Sequence, residues 1–192
     1  GQCAFIFNSW YTKATDGSVK FYTPGDTLAI DGDTVFYAWW NEEPLADVQY
    51  SPIGATGGKP PVDPSSPYIA HSSITVLDNT GGLVRTGYIF DGWWYICTNP
   101  NCAVVHPGDQ VSAMPPLTVF YPHWVPLYTV TYDGNGATGG SVPVDSSSPY
   151  ASGTTVTVLG NTGGLVNTGY TYAGWNTKVD RSGTDLRSGD TF

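Results

Sequence analysis

The side chains in this chain with most chemistry to offer are two cysteines with four residues between them. The segment Cys97-Thr-Asn-Pro-Asn-Cys102 has a turn-forming centre, and its spacing suits a small hairpin closed by a disulfide between Cys97 and Cys102. The same two sulfurs with His106 have zinc-like spacing, but a fourth ligand is not evident and no metal site is assigned. Cys3 is left over, either as a buried thiol or as a cross-link to another chain.

Carboxylates and histidines come next. Asp63 and Asp145 recur in Val-Asp-x-Ser-Ser-Pro-Tyr, while Asp16, Asp31 and Asp33 stand near glycine. Loops of this kind can bind calcium, yet carboxylates capping Asx-turns account for them without a metal. Hydrolysis has less support. There is no Gly-x-Ser-x-Gly elbow, and His71, His106 and His123 crowd into one stretch of the chain. Gly54-Ala-Thr-Gly-Gly-Lys59 has the wrong spacing for a phosphate loop and runs into Pro60, so it reads as a turn. No catalytic, cofactor-binding or metal-binding residue is assigned, no cofactor is expected, and the chain is not expected to be an enzyme.

Composition says what must hold these residues in place. Of 192 residues, 40% are hydrophobic and 14% aromatic, enough to bury a core. The 24 glycines and 15 prolines punctuate the chain too often for long helices and point to many short strands. A net charge of −9 leaves no basic stripe for nucleic acid and disfavours anionic lipid. No apolar run approaches the ~18 residues of a membrane span, so insertion is not expected. The chain opens on Gly1 without a signal-like segment and reads as a processed product or an excerpt. An extracellular or cell-surface location fits best.

The dominant pattern is internal repetition. Val48–Trp93 is written again as Val130–Trp175, with roughly 28 of about 46 positions identical. In this alignment His71 falls on Gly153, so a turn explains that histidine. A partial copy opens the chain, where Phe5-Ile-Phe-Asn-Ser-Trp10 matches Tyr88-Ile-Phe-Asp-Gly-Trp93. Gly-Asp pairs follow at Gly25-Asp26, Gly108-Asp109 and Gly189-Asp190. Closing aromatic strands are written at Thr34–Trp40 and Thr118–Trp124. The predicted domains are therefore 1–41, the C-terminal half of a repeat; 46–124, a complete repeat; and 127–192, a repeat lacking its last strand. The joints Asn41–Pro44 and Val125–Pro126 read as tight linkers.

Val130-Thr-Tyr-Asp-Gly-Asn-Gly-Ala-Thr-Gly-Gly140, Val156-Thr-Val-Leu-Gly-Asn-Thr-Gly-Gly-Leu165 and Gly169–Thr184 together resemble the Listeria–Bacteroides repeat, also called the internalin B-repeat. The resemblance implies a mainly β module with a β-grasp-like sheet, arranged in tandem in large bacterial and some archaeal surface proteins. It implies adhesion or scaffolding. The middle copy departs from the pattern at the cysteine-bearing loop Trp94–Val105 and at Ser51-Pro-Ile53.

Residue by residue, Val130, Tyr132, Val156, Val158, Tyr170 and Tyr172 alternate with small or polar neighbours, as half-buried strands require. Trp10, Trp93 and Trp175 share one position and should be core anchors, although exposed tryptophans there could stack on sugars. Trp39 and Trp40 must face opposite sides of a strand, with one nearer the surface.

The third copy lacks a strand of the type Thr34–Trp40 carries, and the N-terminal half lacks its opening strands. Head-to-tail pairing would then build a filament. Its candidate assembly edge is Val35, Phe36, Tyr37, Trp39, Trp40, Asp190 and Phe192. Both fragments contain the Gly–aromatic–Trp segment and so overlap; a slice of a longer tandem chain is the competing explanation. The expected partners are other copies of the chain or adjacent repeats, with host glycan or protein recognised through exposed aromatics as the alternative.

Overall fold

A computed structural model describes residues 3–95 and 103–192. Strands and bridges make up 40% of the described residues, which contain no helix. The expected mainly β class therefore holds. Cys97 and Cys102, with their expected disulfide, lie outside the described residues. In chain order the strands are β1 (Cys3–Lys13), β2 (Val19–Tyr22), β3 (Tyr37–Tyr50), β4 (Tyr68–Ile69), β5 (Ser73–Thr75) and β6 (Tyr88–Tyr95). They continue with β7 (Val104–Val105), β8 (Gln110–Ser112), β9 (Leu117–Tyr128), β10 (Tyr150–Ala151), β11 (Trp175–Asn176) and β12 (Asp185–Leu186). The chain divides into two units: Gly1–Leu83 with Gly92–His123, and Val84–Asp91 with Trp124–Phe192.

In the first unit, β2-β1-β3-β9-β6-β7 is the order of the main sheet, with β4 on β3. β1 pairs antiparallel with both β2 and β3, with an irregularity between Phe7 and Ser9. β3 is unbroken from Tyr37 to Tyr50, so Asn41–Pro44 is strand and not the linker expected from its composition. Pro44 is tolerated there because a proline lacks only the N–H, and its neighbours keep an extended backbone. Val125-Pro126 is likewise inside β9. The far half of β3 runs parallel to the start of β9, with Asp47, Val48, Gln49 and Tyr50 opposite Leu117, Thr118, Val119 and Phe120. Ala46, Val48, Tyr50, Ile74, Val76, Leu83, Trp93, Ala113 and Phe120 form the buried core. The 2-residue alternation along β3 puts Ala46, Val48 and Tyr50 on one face, which is why every second residue is apolar.

In the second unit, Tyr128 and Leu127 pair with Tyr150 and Ala151, and β11 pairs with β12. Val156 and Val158 are buried as expected, and Val156 exchanges both backbone hydrogen bonds with Phe192. The other alternating residues differ from expectation. Val130 and Tyr132 lie in no strand, and Tyr170 and Tyr172 are exposed. The reason is visible in the complete copy. Val48 and Tyr50 are strand residues because Thr118 and Phe120 lie beside them; among the described residues no strand lies beside Val130–Tyr132. Strand pattern in a sequence becomes strand only when a ladder partner is in reach.

Candidate functional site

The shared core position is built around one leucine backbone. In the complete repeat the Leu77 N–H donates to the Tyr50 hydroxyl at 2.8 Å, and the Trp93 indole N–H donates to the Leu77 carbonyl at 2.9 Å. The Tyr50 ring lies 4.7 Å from Phe120 and nearly parallel, and 4.8 Å from Trp93 in an edge arrangement. Burial pushes the Tyr50 phenol up to about 12. The second unit repeats the bracket: Leu159 N–H to Tyr132 hydroxyl at 2.9 Å, and Trp175 indole N–H to the Leu159 carbonyl at 2.8 Å. Trp93 is fully buried and Trp175 half-buried, so the core-anchor reading holds for these two; Trp10 is 42% exposed.

Three further devices recur in both copies. Ser66 and Ser148 hydroxyls accept the Val48 and Val130 N–H groups, eighteen residues upstream in each case. Asn79 brackets Leu83 by donating to its carbonyl and accepting its N–H, and Asn161 does the same for Leu165. Asp63 accepts from Ser65 N–H and the Tyr68 hydroxyl; Asp145 accepts from Ser147 N–H and the Tyr150 hydroxyl. Both aspartates thus cap Asx-turns. The Gly-Asp pairs are also turn caps, with Asp26, Asp109 and Asp190 accepting from Thr23, His106 and Arg187 N–H. None of the asparagine or serine roles was visible in the sequence, although their identity in both copies was the available signal.

His71 has a φ of 62°, where the sister copy holds Gly153 at 83°. It occupies a turn, with its N–H on the Ala113 carbonyl. His106 is in the Asp109 turn, and His123 packs edge-on against Trp94 at 4.9 Å. The histidines therefore do not share a site. No group of three or more potential metal ligands occurs among the described residues. Cys3 is exposed, not buried.

The remaining candidate is the aromatic surface of β1, β2 and β3. Register places Tyr11 opposite both Phe21 and Tyr37, so they share a face. Trp39 lies edge-on to Tyr11 and Phe21 at 5.9 and 5.4 Å. On the opposite face, Phe7 meets Trp10 and Trp40. Trp39 and Trp40 do face opposite ways, but both are exposed, at 45% and 54%. The Tyr11–Trp39 contact corresponds to Trp94–His123 in the complete repeat, so that face is aromatic and partly exposed in both copies. A groove of about 520 Å³ opens on the other face between Trp10, Tyr22, Ile30 and Phe36. Of the candidate edge, Val35, Phe36, Tyr37 and Phe192 are exposed as well, and Asp190 is spent on its turn.

Residues 128–192 match the Listeria-Bacteroides repeat domain family. This segment is a Listeria–Bacteroides repeat. A protein of Evansella cellulosilytica named as a Gly-rich membrane protein is 31% identical over 140 residues, covering 67% of this chain and 15% of that protein. A second protein from the same organism, named as a membrane protein, is 38% identical over 175 residues, 87% of this chain and 23% of its own length. The chain thus spans less than a quarter of either relative. No solved structure matches it. No helix among the described residues is long and apolar enough to cross a membrane.

Proposed function

We propose that this chain is building material: tandem β-grasp-like repeats of an extracellular bacterial or archaeal surface protein, serving scaffolding and adhesion without catalysis. The proposed modules are 1–41, 46–124 and 127–192, in an elongated tandem arrangement. The observation that carries the reading is duplication of purely structural parts. The Tyr–Leu–Trp bracket, the serine and asparagine brackets and the aspartate caps occur twice with the same partners. Every polar group so repeated is spent on the fold, which leaves no reactive centre for the repeat to multiply. Antibodies against this chain should label intact producing cells. Labelling only after permeabilisation would overturn the location.

Self-association through Val35, Phe36, Tyr37, Trp39, Trp40, Asp190 and Phe192 belongs to the same reading. Sedimentation velocity should reveal association that rises with concentration and weakens in W39S and W40S. A monomer at all concentrations removes head-to-tail assembly and leaves tandem scaffolding intact. The second reading, a glycan- or protein-binding module, rests on the partly exposed aromatic face common to Tyr11/Trp39 and Trp94/His123. Retained glycan or host-protein capture in a folded W39S/W94S variant would count against it.

A further inference from the structure

Tension carried along a repeat protein enters a module by its first strand and leaves by its last. In the complete repeat these two strands are direct neighbours. The chain enters along β3 and leaves along β9, with Asp47–Tyr50 parallel to Leu117–Phe120. The Asp47 N–H donates to the Pro116 carbonyl at 3.0 Å at one end of this ladder, and the Ser51 N–H donates to the Phe120 carbonyl at 2.8 Å at the other. Because the strands are parallel, tension draws the Asp47 end backward and the Phe120 end forward, along the strand axis. All rungs are loaded together in shear. The Tyr50–Phe120 stack spans the same two strands inside the core, so sliding also breaks an aromatic contact at 4.7 Å.

We infer that the β3–β9 ladder is a force-bearing clamp, and that resisting pull along the chain is a function of this module. The β1–β3 ladder offers the contrast within the same molecule. Cys3 lies opposite Pro44, so a pull on the N-terminus and on Leu45 loads one end of an antiparallel ladder and peels it rung by rung. The inference rests on the tandem reading for the source of tension, but the clamp can be measured alone.

Single-molecule pulling of the full chain by handles at its two ends loads the clamp in shear. A second version, with one handle inserted in the exposed turn at Ile53-Gly54 and the other at the C-terminus, loads the same ladder from one end. The first geometry should give an unfolding step releasing about 24 nm of chain between Tyr50 and Leu117, at ~3.6 Å per residue. Its force should be roughly two-fold or more above that of the second, since rungs break together in one and singly in the other. D47P, at an exposed position, removes the terminal rung and should lower only the shear force. Equal forces in the two geometries overturn the clamp, whether or not D47P folds. They leave the surface-scaffold reading standing, because cell labelling decides that separately.

Discussion

Trp93 fills the centre of the complete repeat, yet its hydrogen bond is as informative as its size. The indole N–H of the fully buried Trp93 donates to the Leu77 carbonyl, and the Leu77 N–H donates to Tyr50, both in part-buried hydrogen bonds. Replacing Trp93 by Phe keeps a large ring but leaves that carbonyl without its donor, which costs about 1–3 kcal/mol on top of the lost packing. W175F, in a half-buried setting where water can substitute, should cost less. Chemical denaturation of the two variants checks the order; equal losses would deny the bracket its dependence on burial. The three equivalent tryptophans were legible in the sequence as one position. Their unequal exposure was not, because it depends on which strands the fold lays across each ring: Trp93 is fully buried, Trp175 half-buried and Trp10 42% exposed.

At the scale of elements, two Gly-Gly pairs meet. Gly58 has a φ of 81°, and a Cβ there would lie 2.0 Å from the Gly82 carbonyl oxygen; one at Gly81 would lie 2.0 Å from the Lys59 oxygen. Gly140 and Gly163 repeat both contacts against Gly164 and Ser141. Lys59 N–H accordingly reaches Gly81 O at 3.0 Å, and Ser141 N–H reaches Gly163 O at 2.9 Å. G58A and G140A therefore meet both a backbone clash and a strained φ, and each should lower stability by about 2 kcal/mol or more, measured by thermal or urea unfolding. A neutral result would mean the two loops separate without loss. The sequence marked Gly54–Lys59, which holds the first pair, as a turn. It could not mark the pairs as touching, since residues more than twenty positions apart are brought together only by the fold. The same gap explains the linkers: Asn41-Glu-Glu-Pro44 has linker composition, and only the β1 ladder opposite makes it strand.

For the molecule as a whole, charge and titration set the working range. With a net charge of −9, its weak point is alkaline rather than acidic in one specific respect, the tyrosine phenols. Tyr50 is pushed up to about 12 by burial, while the more exposed Tyr68, Tyr150 and Tyr172 are raised by partial loss of solvent, with Asp63 and Asp145 adding to the first two of these. Unfolded tyrosine ionises near pH 10, so this contribution to stability is complete below about 10 and is lost as pH climbs through about 12. Unfolding midpoints across pH 8 to about 12 should fall in step with tyrosinate absorbance; a flat profile would deny the coupling. Class and repetition were readable from glycine, proline and the duplicated motifs. The parallel β3–β9 pairing was not, because its two strands are written far apart and neither names the other. The unbroken run of β3 through Pro44 carries one last implication. A shared pleat transmits parity: inserting or deleting a single residue among Asn41–Pro44 would turn Ala46, Val48 and Tyr50 outward and their polar neighbours inward. The Asn41–Pro44 stretch of β3 should therefore accept changes of length by twos and reject them by ones.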